Sequence, residues 1–124
     1  MNFLMNNSDY KPWGKSISID LFDCDVSVLS NPTLIQQYVS DVVKLINMVA
    51  HGPCHIERFG YGELEGYSAM QFIETSSITV HCDEPGKRAF IDIFSCKDFD
   101  GQTALDFSKN FFKAGSDKNT VLTR

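Results

Sequence analysis

The chain has 124 residues, 11 of them basic and 16 acidic, for a net charge of −5. That length fits a single domain, residues 1–124, and lets the fold bury roughly two-thirds of the surface that the unfolded chain exposes, enough for one core. No basic cluster is denser than Lys87-Arg88, so the electrostatic footprint of a nucleic-acid binder is missing.

Met1 to Tyr10 holds a short apolar patch, Phe3-Leu4-Met5. It lacks the basic start, apolar run and small-residue cleavage site of a signal peptide, and is far too short to span a membrane. A cytoplasmic protein is expected. Ser16 to Phe22 alternates polar and apolar residues, the period of a half-buried strand, and Cys24-Asp25 starts a turn. Asn31 before Pro32 offers an N-cap and a first-turn proline. Leu34, Ile35, Tyr38, Val39, Val42, Val43 and Ile46 then recur at helical spacing, and the helix is expected to end near Gly52-Pro53.

Cys54 to Phe59 reads as a second strand, Gly60 to Gly66 as a loop with three glycines, Tyr67 to Thr75 as a third strand and Ser77 to Cys82 as a fourth. Asp83-Glu84-Pro85-Gly86 is a turn, and Ala89 to Ser95 alternates again. Gln102 to Lys113 is a second helix capped by Asp100, and Gly115 to Arg124 reads as a loose polar tail. The pattern predicts an α+β two-layer sandwich, an antiparallel sheet with two helices on one face. Its other face is left bare, so a partner copy is expected to cover it or to contribute to a shared site.

Cysteines at 24, 54, 82 and 96 form no Cys-x-x-Cys pair, and the histidines at 51, 55 and 81 do not join them at zinc-site spacings; no metal is expected, and in the cytosol the thiols stay reduced. His55 and Glu57 lie where they would line a cleft, but nothing in the sequence selects them. The chemistry concentrates in Glu74-Thr75-Ser76-Ser77-Ile78-Thr79-Val80-His81 and, further on, Phe94-Ser95-Cys96. A serine hydroxyl held against the preceding carbonyl can turn that amide into an ester, lose the ester by elimination and leave a pyruvoyl group. The reaction needs a strained turn, a donor for the oxyanion and a base for the serine α-proton. Ser76, Ser68 and His81 suit those demands.

These residues resemble the short prokaryotic S-adenosylmethionine decarboxylases, pyruvoyl enzymes of spermidine and polyamine synthesis. The resemblance starts at Gly14-Lys15-Ser16, continues through Asp20-Leu21-Phe22-Asp23-Cys24-Asp25, and runs ungapped from Gly66 to Cys96. It implies an autocatalytic zymogen cut between Thr75 and Ser76, with a pyruvoyl cofactor made from Ser76 and Ser68 and His81 serving the processing. It also implies that the cofactor's ketone takes the substrate amine as a Schiff base, and that Cys96 returns a proton to the α-carbon after carbon dioxide leaves. Phe59 falls near a family aromatic that stacks on adenine. A homodimer, or a pair of cleaved heterodimers, is implied.

The chain also departs from the family pattern. Thr75 stands where Glu is common, and Glu74, one strand step away, would point to the opposite face. Ser77 stands where histidine is common; Ser76 alone gives the family spacing to His81 and Cys96. After His81 the family continues aromatic-Pro-Glu, its carboxylate holding ribose hydroxyls, where this chain has Cys82-Asp83-Glu84-Pro85. Asp83 or Glu84 is the candidate for that contact. Two alternatives stay open: a decarboxylase of ornithine or arginine, and an uncleaved inactive relative acting as a binding or regulatory subunit.

Overall fold

A computed structural model describes residues 12–124; the expectation for Phe3-Leu4-Met5 lies outside them. In chain order the elements are β1 (Lys15–Phe22), α1 (Val26–Leu29), α2 (Pro32–Leu45), β2 (Ala50–Phe59), β3 (Gly66–Ile73), β4 (Ser76–Asp83), β5 (Arg88–Ser95), α3 (Gly101–Phe112) and β6 (Ser116–Thr123). Among the described residues the six strands form one sheet in the order β2-β3-β4-β5-β1-β6, every neighbour pair antiparallel. The helices pack on one face, so the expected two-layer α+β sandwich is present, with the short α1 as a third helix. Among the described residues no helix is long and apolar enough to cross a membrane.

The alternation read in the sequence decides which face is buried. Ile17, Ile19 and Leu21 of β1, Ile78 and Val80 of β4, and Ile91 and Ile93 of β5 are all at most 1 % exposed. They meet Ile35, Tyr38, Val39, Val42 and Val43 of α2 and Ala104, Leu105 and Phe112 of α3. Both long helices start as their sequences predict. Asn31 Oδ1 accepts from the N–H groups of Thr33 and Leu34, and Asp100 Oδ1 from those of Gln102 and Thr103, closing otherwise unpaired first-turn donors. Tyr38 is fully buried, yet its hydroxyl meets Ser108 Oγ at 2.6 Å, and burial raises its pKa.

Three expectations are corrected. Residues Ser116–Thr123 are not loose: they form β6, an edge strand paired along the whole of β1. Because most of its side chains are exposed, the strand carries no apolar alternation and is held by ladder hydrogen bonds that the sequence pattern does not reveal. Helix α2 ends at Leu45, with Asn47 at φ 61°, rather than near Gly52-Pro53. Those two residues instead sit inside β2, in an irregularity between His51 and His55 where the register with β3 shifts; Pro is tolerated there because β2 is an edge strand. Finally, β3 stops at Ile73, and Glu74 and Thr75 are a two-residue link.

Replacing Ile93 of β5, fully buried in the core, with Ala leaves a cavity there. We expect Ile93→Ala to lower the unfolding free energy by about 2–5 kcal/mol, measured by urea denaturation followed by circular dichroism.

Candidate active site

The β3–β4 link carries neither Gly nor Asn, and neither of its residues has positive φ; the unusual dihedral falls on Ser76, at φ 158°. The link does not project freely. Glu74 N–H donates to Val49 O at 2.9 Å, and the Thr75 carbonyl accepts from Cys96 N–H at 3.0 Å. Ser76 lies directly opposite Ser95 on β5. An N–H aimed at a carbonyl oxygen polarises it and stabilises negative charge gathering there, so the amide preceding Ser76 is already presented to a donor. Glu74, in the turn rather than on a strand, directs its carboxylate to His51 at 3.8 Å.

Gly14 lets β1 pass behind this point. A Cβ there would lie 2.6 Å from Ser95 O and 3.2 Å from Cys96 Cα, closer than backbone tolerates. Cys96 is exposed and lines a cavity of about 250 Å³ with Trp13, Gly14, Lys15 and Asp98. Lys15 is occupied: its Nζ donates to Phe99 O at 2.7 Å and pairs with Asp98 at 2.8 Å.

Ser68 and His81 are opposite one another on β3 and β4, and Ser68 Oγ meets His81 Nδ1 at 2.9 Å. This pair stands between two cavities on the face that, among the described residues, carries no helix. One, of about 280 Å³, is also lined by His55, Glu57 and Phe59; the other, of about 560 Å³, by Leu64, Asp83, Arg88 and Phe90. Phe59 is 57 % exposed, and Glu57 faces Ser68 across the β2–β3 pair. A serine that fixes one imidazole nitrogen leaves the other free to hold or move a proton.

The four residues expected to act together thus fall into two groups. Ser76 and Cys96 lie at one end of β4, Cys96 N–H bonded to the Thr75 carbonyl, and Ser68 and His81 lie near the other; five strand steps separate Ser76 from His81, about 17 Å. Within one chain the two groups do not touch.

Asp83 and Glu84 are both already paired. Asp83 accepts from Gly86 N–H at 3.2 Å and from Arg88 Nε at 2.7 Å. Glu84 Oε2 accepts from Arg58 Nη1 at 2.5 Å, and Arg58 also holds Glu65 at 2.8 Å; these hydrogen bonds raise the Arg58 pKa. Of the two carboxylates, only Asp83 lines the cavity beside His81.

Sequence reasoning passed over Ser95 and the Cys96 N–H. A backbone donor leaves no mark in a sequence, and Ser95 read as one more residue of an alternating strand. The other thiols are buried or half-buried. Burial pushes Cys24 up to about 11; Cys82 is pushed up to about 12 by burial, with Cys24 and Glu84 adding to it.

Residues 15–124 match the family model for S-adenosylmethionine decarboxylase. A protein of Saccharolobus islandicus (strain L.S.2.15 / Lassen #1), an S-adenosylmethionine decarboxylase proenzyme, is 31% identical over 83 residues, 67% of this chain and 64% of that protein. The proenzyme of the same name from Synechococcus sp. (strain WH7803) is 27% identical over 90 residues, 68% of this chain and 63% of its own length. The match thus spans less than two thirds of either relative. Among solved structures, the adenosylmethionine decarboxylase from Aquifex aeolicus VF5 superposes with a TM-score of 0.79 at 20% identity, covering 93% of this chain and 92% of that one. At that identity the likeness is one of fold.

Raised pKa values keep Cys24 and Cys82 as neutral thiols in the folded protein at pH 9, where unfolded cysteine, with a pKa of about 8.5, is mostly thiolate. Iodoacetamide at pH 9 is therefore expected to spare both until urea is added, as read by peptide mass mapping.

Proposed function

The chain belongs to the S-adenosylmethionine decarboxylase family, and from that premise we propose that it is a self-cleaving, pyruvoyl-dependent carboxy-lyase acting on S-adenosylmethionine. The observation that carries this reading is the Thr75 carbonyl held by Cys96 N–H at 3.0 Å beside Ser76. Ser76 Oγ attacks the Thr75 carbonyl carbon. The ester C–O bond forms as the amide C–N bond breaks, and the hydroxyl proton ends on the freed Ser76 nitrogen. Removal of the Ser76 α-proton then expels Thr75 as a carboxylate, and water displaces the nitrogen as ammonia. Residues 1–75 and 76–124 remain, the second beginning in a pyruvoyl group.

The residues at this point fit such a group: a backbone donor reaches the bond to be cut, and that donor belongs to Cys96, whose side chain is exposed. A pyruvoyl group supplies a ketone that takes the substrate's α-amino nitrogen and draws off the electron pair released as carbon dioxide departs. Cys96 Sγ delivers a proton to the α-carbon. His81 serves as base, its ring held by Ser68. Phe59 offers the exposed ring for a nucleobase to stack on, and Asp83 accepts from ribose hydroxyls through lone pairs that Arg88 and Gly86 leave unused. Glu84, paired away from the cavity, is the poorer candidate.

The 17 Å strand separation and the bare face together favour a homodimer. Met70 and Phe72 are 43 % and 50 % exposed on the uncovered side of the sheet, where a second copy gives apolar side chains a dry partner. A two-fold arrangement sets the Ser76 end of β4 in one copy against the Ser68–His81 end in the other, completing two sites from four half-sites. The net negative charge suits a substrate carrying a sulfonium, and four free thiols suit a cytoplasmic setting. The proenzyme relatives in the preceding section favour S-adenosylmethionine over ornithine or arginine. Its decarboxylated product is the aminopropyl donor for spermidine synthesis.

Denaturing electrophoresis with intact mass should show fragments 1–75 and 76–124, and Ser76→Ala should leave one inactive chain; a wild-type chain that never splits would favour the uncleaved binding subunit. Labelled carbon dioxide should come from carboxyl-labelled S-adenosylmethionine and not from ornithine or arginine. For the shared site, Ser76→Ala and His81→Ala proteins, each uncut alone, should cleave when co-expressed. Continued failure in mixed dimers would reject the two-copy arrangement.

A further inference from the structure

The uncut link is held by more than the Cys96 N–H. Thr75 Oγ1 and Ser95 Oγ lie 2.7 Å apart, Lys97 N–H donates to Ser95 Oγ at 3.0 Å, and Thr75 Oγ1 donates to Met48 Sδ at 3.4 Å. Ser95 is fully buried and Met48 nearly so. Two hydroxyl protons are available: one bridges the pair and the other reaches the thioether sulfur, while Lys97 N–H occupies a Ser95 lone pair. Neither hydroxyl is left over to act as nucleophile or base. What the pair fixes is position, because Thr75 is gripped by its side chain on the residue immediately before Cys96, whose N–H holds Thr75's own carbonyl.

We propose that the buried Thr75–Ser95 hydroxyl pair is a positioning device for self-cleavage, keeping the Thr75 carbonyl on the Cys96 N–H while Ser76 Oγ attacks. This rests on the self-cleavage reading above and assigns it two residues that never touch substrate. The pair suits this chain's Thr75. A glutamate side chain directed at the same neighbours would bring a carboxylate against a buried serine and a thioether, an unpaired charge in an apolar setting. The device acts on the first step, the amide-to-ester shift, since that is when charge gathers on the Thr75 oxygen. Once Thr75 has left as a carboxylate, the pair has no further part in the reaction.

Cell-free synthesis of full-length chains, followed by timed electrophoresis, measures the cleavage rate directly. Losing one hydrogen bond that aligns the reacting carbonyl should slow cleavage about tenfold or more in Ser95→Ala and in Thr75→Val. The double variant should be no slower than the slower single, since both remove one contact. Ser95→Thr and Thr75→Ser, which keep the hydroxyls, should retain most of the rate. The midpoint of the pH–rate profile should stay in place, because no proton-transfer group has changed. Hydroxylamine, which cuts an ester but not an amide, should fail to restore the Ser95→Ala rate; restoration would mean the ester forms normally and would overturn the assignment. The same substitutions on a Ser76→Ala background give melting temperatures of the uncut fold, and if Ser95→Ala does not fold, Thr75→Val carries the comparison. Wild-type cleavage with both variants equally fast would sink this inference alone, whereas a wild-type chain that stays whole would sink the self-cleavage reading itself.

Discussion

One backbone hydrogen bond, from Cys96 N–H to the Thr75 carbonyl, organises the β3–β4 end of this molecule. It joins a hairpin link to the residue just past the end of β5, and several otherwise separate features follow from it. Gly14 must lack a side chain because β1 enters the sheet directly behind that contact. Ser95 must be small and polar because it fills the space beneath the link. The link departs from ordinary strand geometry at Ser76, the residue whose hydroxyl, in the proposed self-cleavage, reaches back over its own peptide bond.

Strand geometry imposes the second constraint. A β-strand is stiff and advances about 3.3 Å per residue, so side chains five positions apart on one strand cannot converge within the same sheet. The serine and cysteine at one end of β4 and the serine–histidine pair near the other are therefore two separate groups within one chain, the two halves of the shared site proposed for a dimer. Among the described residues the same sheet leaves one face without helices, and the side chains there mix aromatic rings and a thioether with hydroxyls and carboxylates. Such a surface suits a second sheet better than it suits water.

Much of this was legible in the residues. Alternation located β1 and β5, and Asn31-Pro32 and Asp100 marked both long helices because capping is local chemistry. The Ser68–His81 contact was also within reach. A two-residue link pairs Ile73 with Ser76, and stepping outward five residues on each strand arrives at Ser68 and His81. It was obscured by extending β3 through Thr75. The carboxylates at 83 and 84 were harder. Their arginine partners include Arg58, on a strand two places away in the sheet, and no local pattern announces such a pairing. Strand β6 was hidden for a different reason: an edge strand exposed on both sides has no apolar rhythm, and its stability resides in backbone groups that every residue shares.

Strand order gives the proposed cut a further meaning. Residues 1–75 supply β1, β2 and β3, and residues 76–124 supply β4, β5 and β6, yet β1 is inserted between β5 and β6. The two products are interleaved like clasped fingers rather than stacked side by side, so breaking one peptide bond releases neither. Covalent continuity is needed only during assembly. A cut molecule, once denatured, would have to rebuild its sheet through collision of two separate polypeptides, making recovery second order and dependent on concentration. A molecule cut at that bond would fold once, as a single chain.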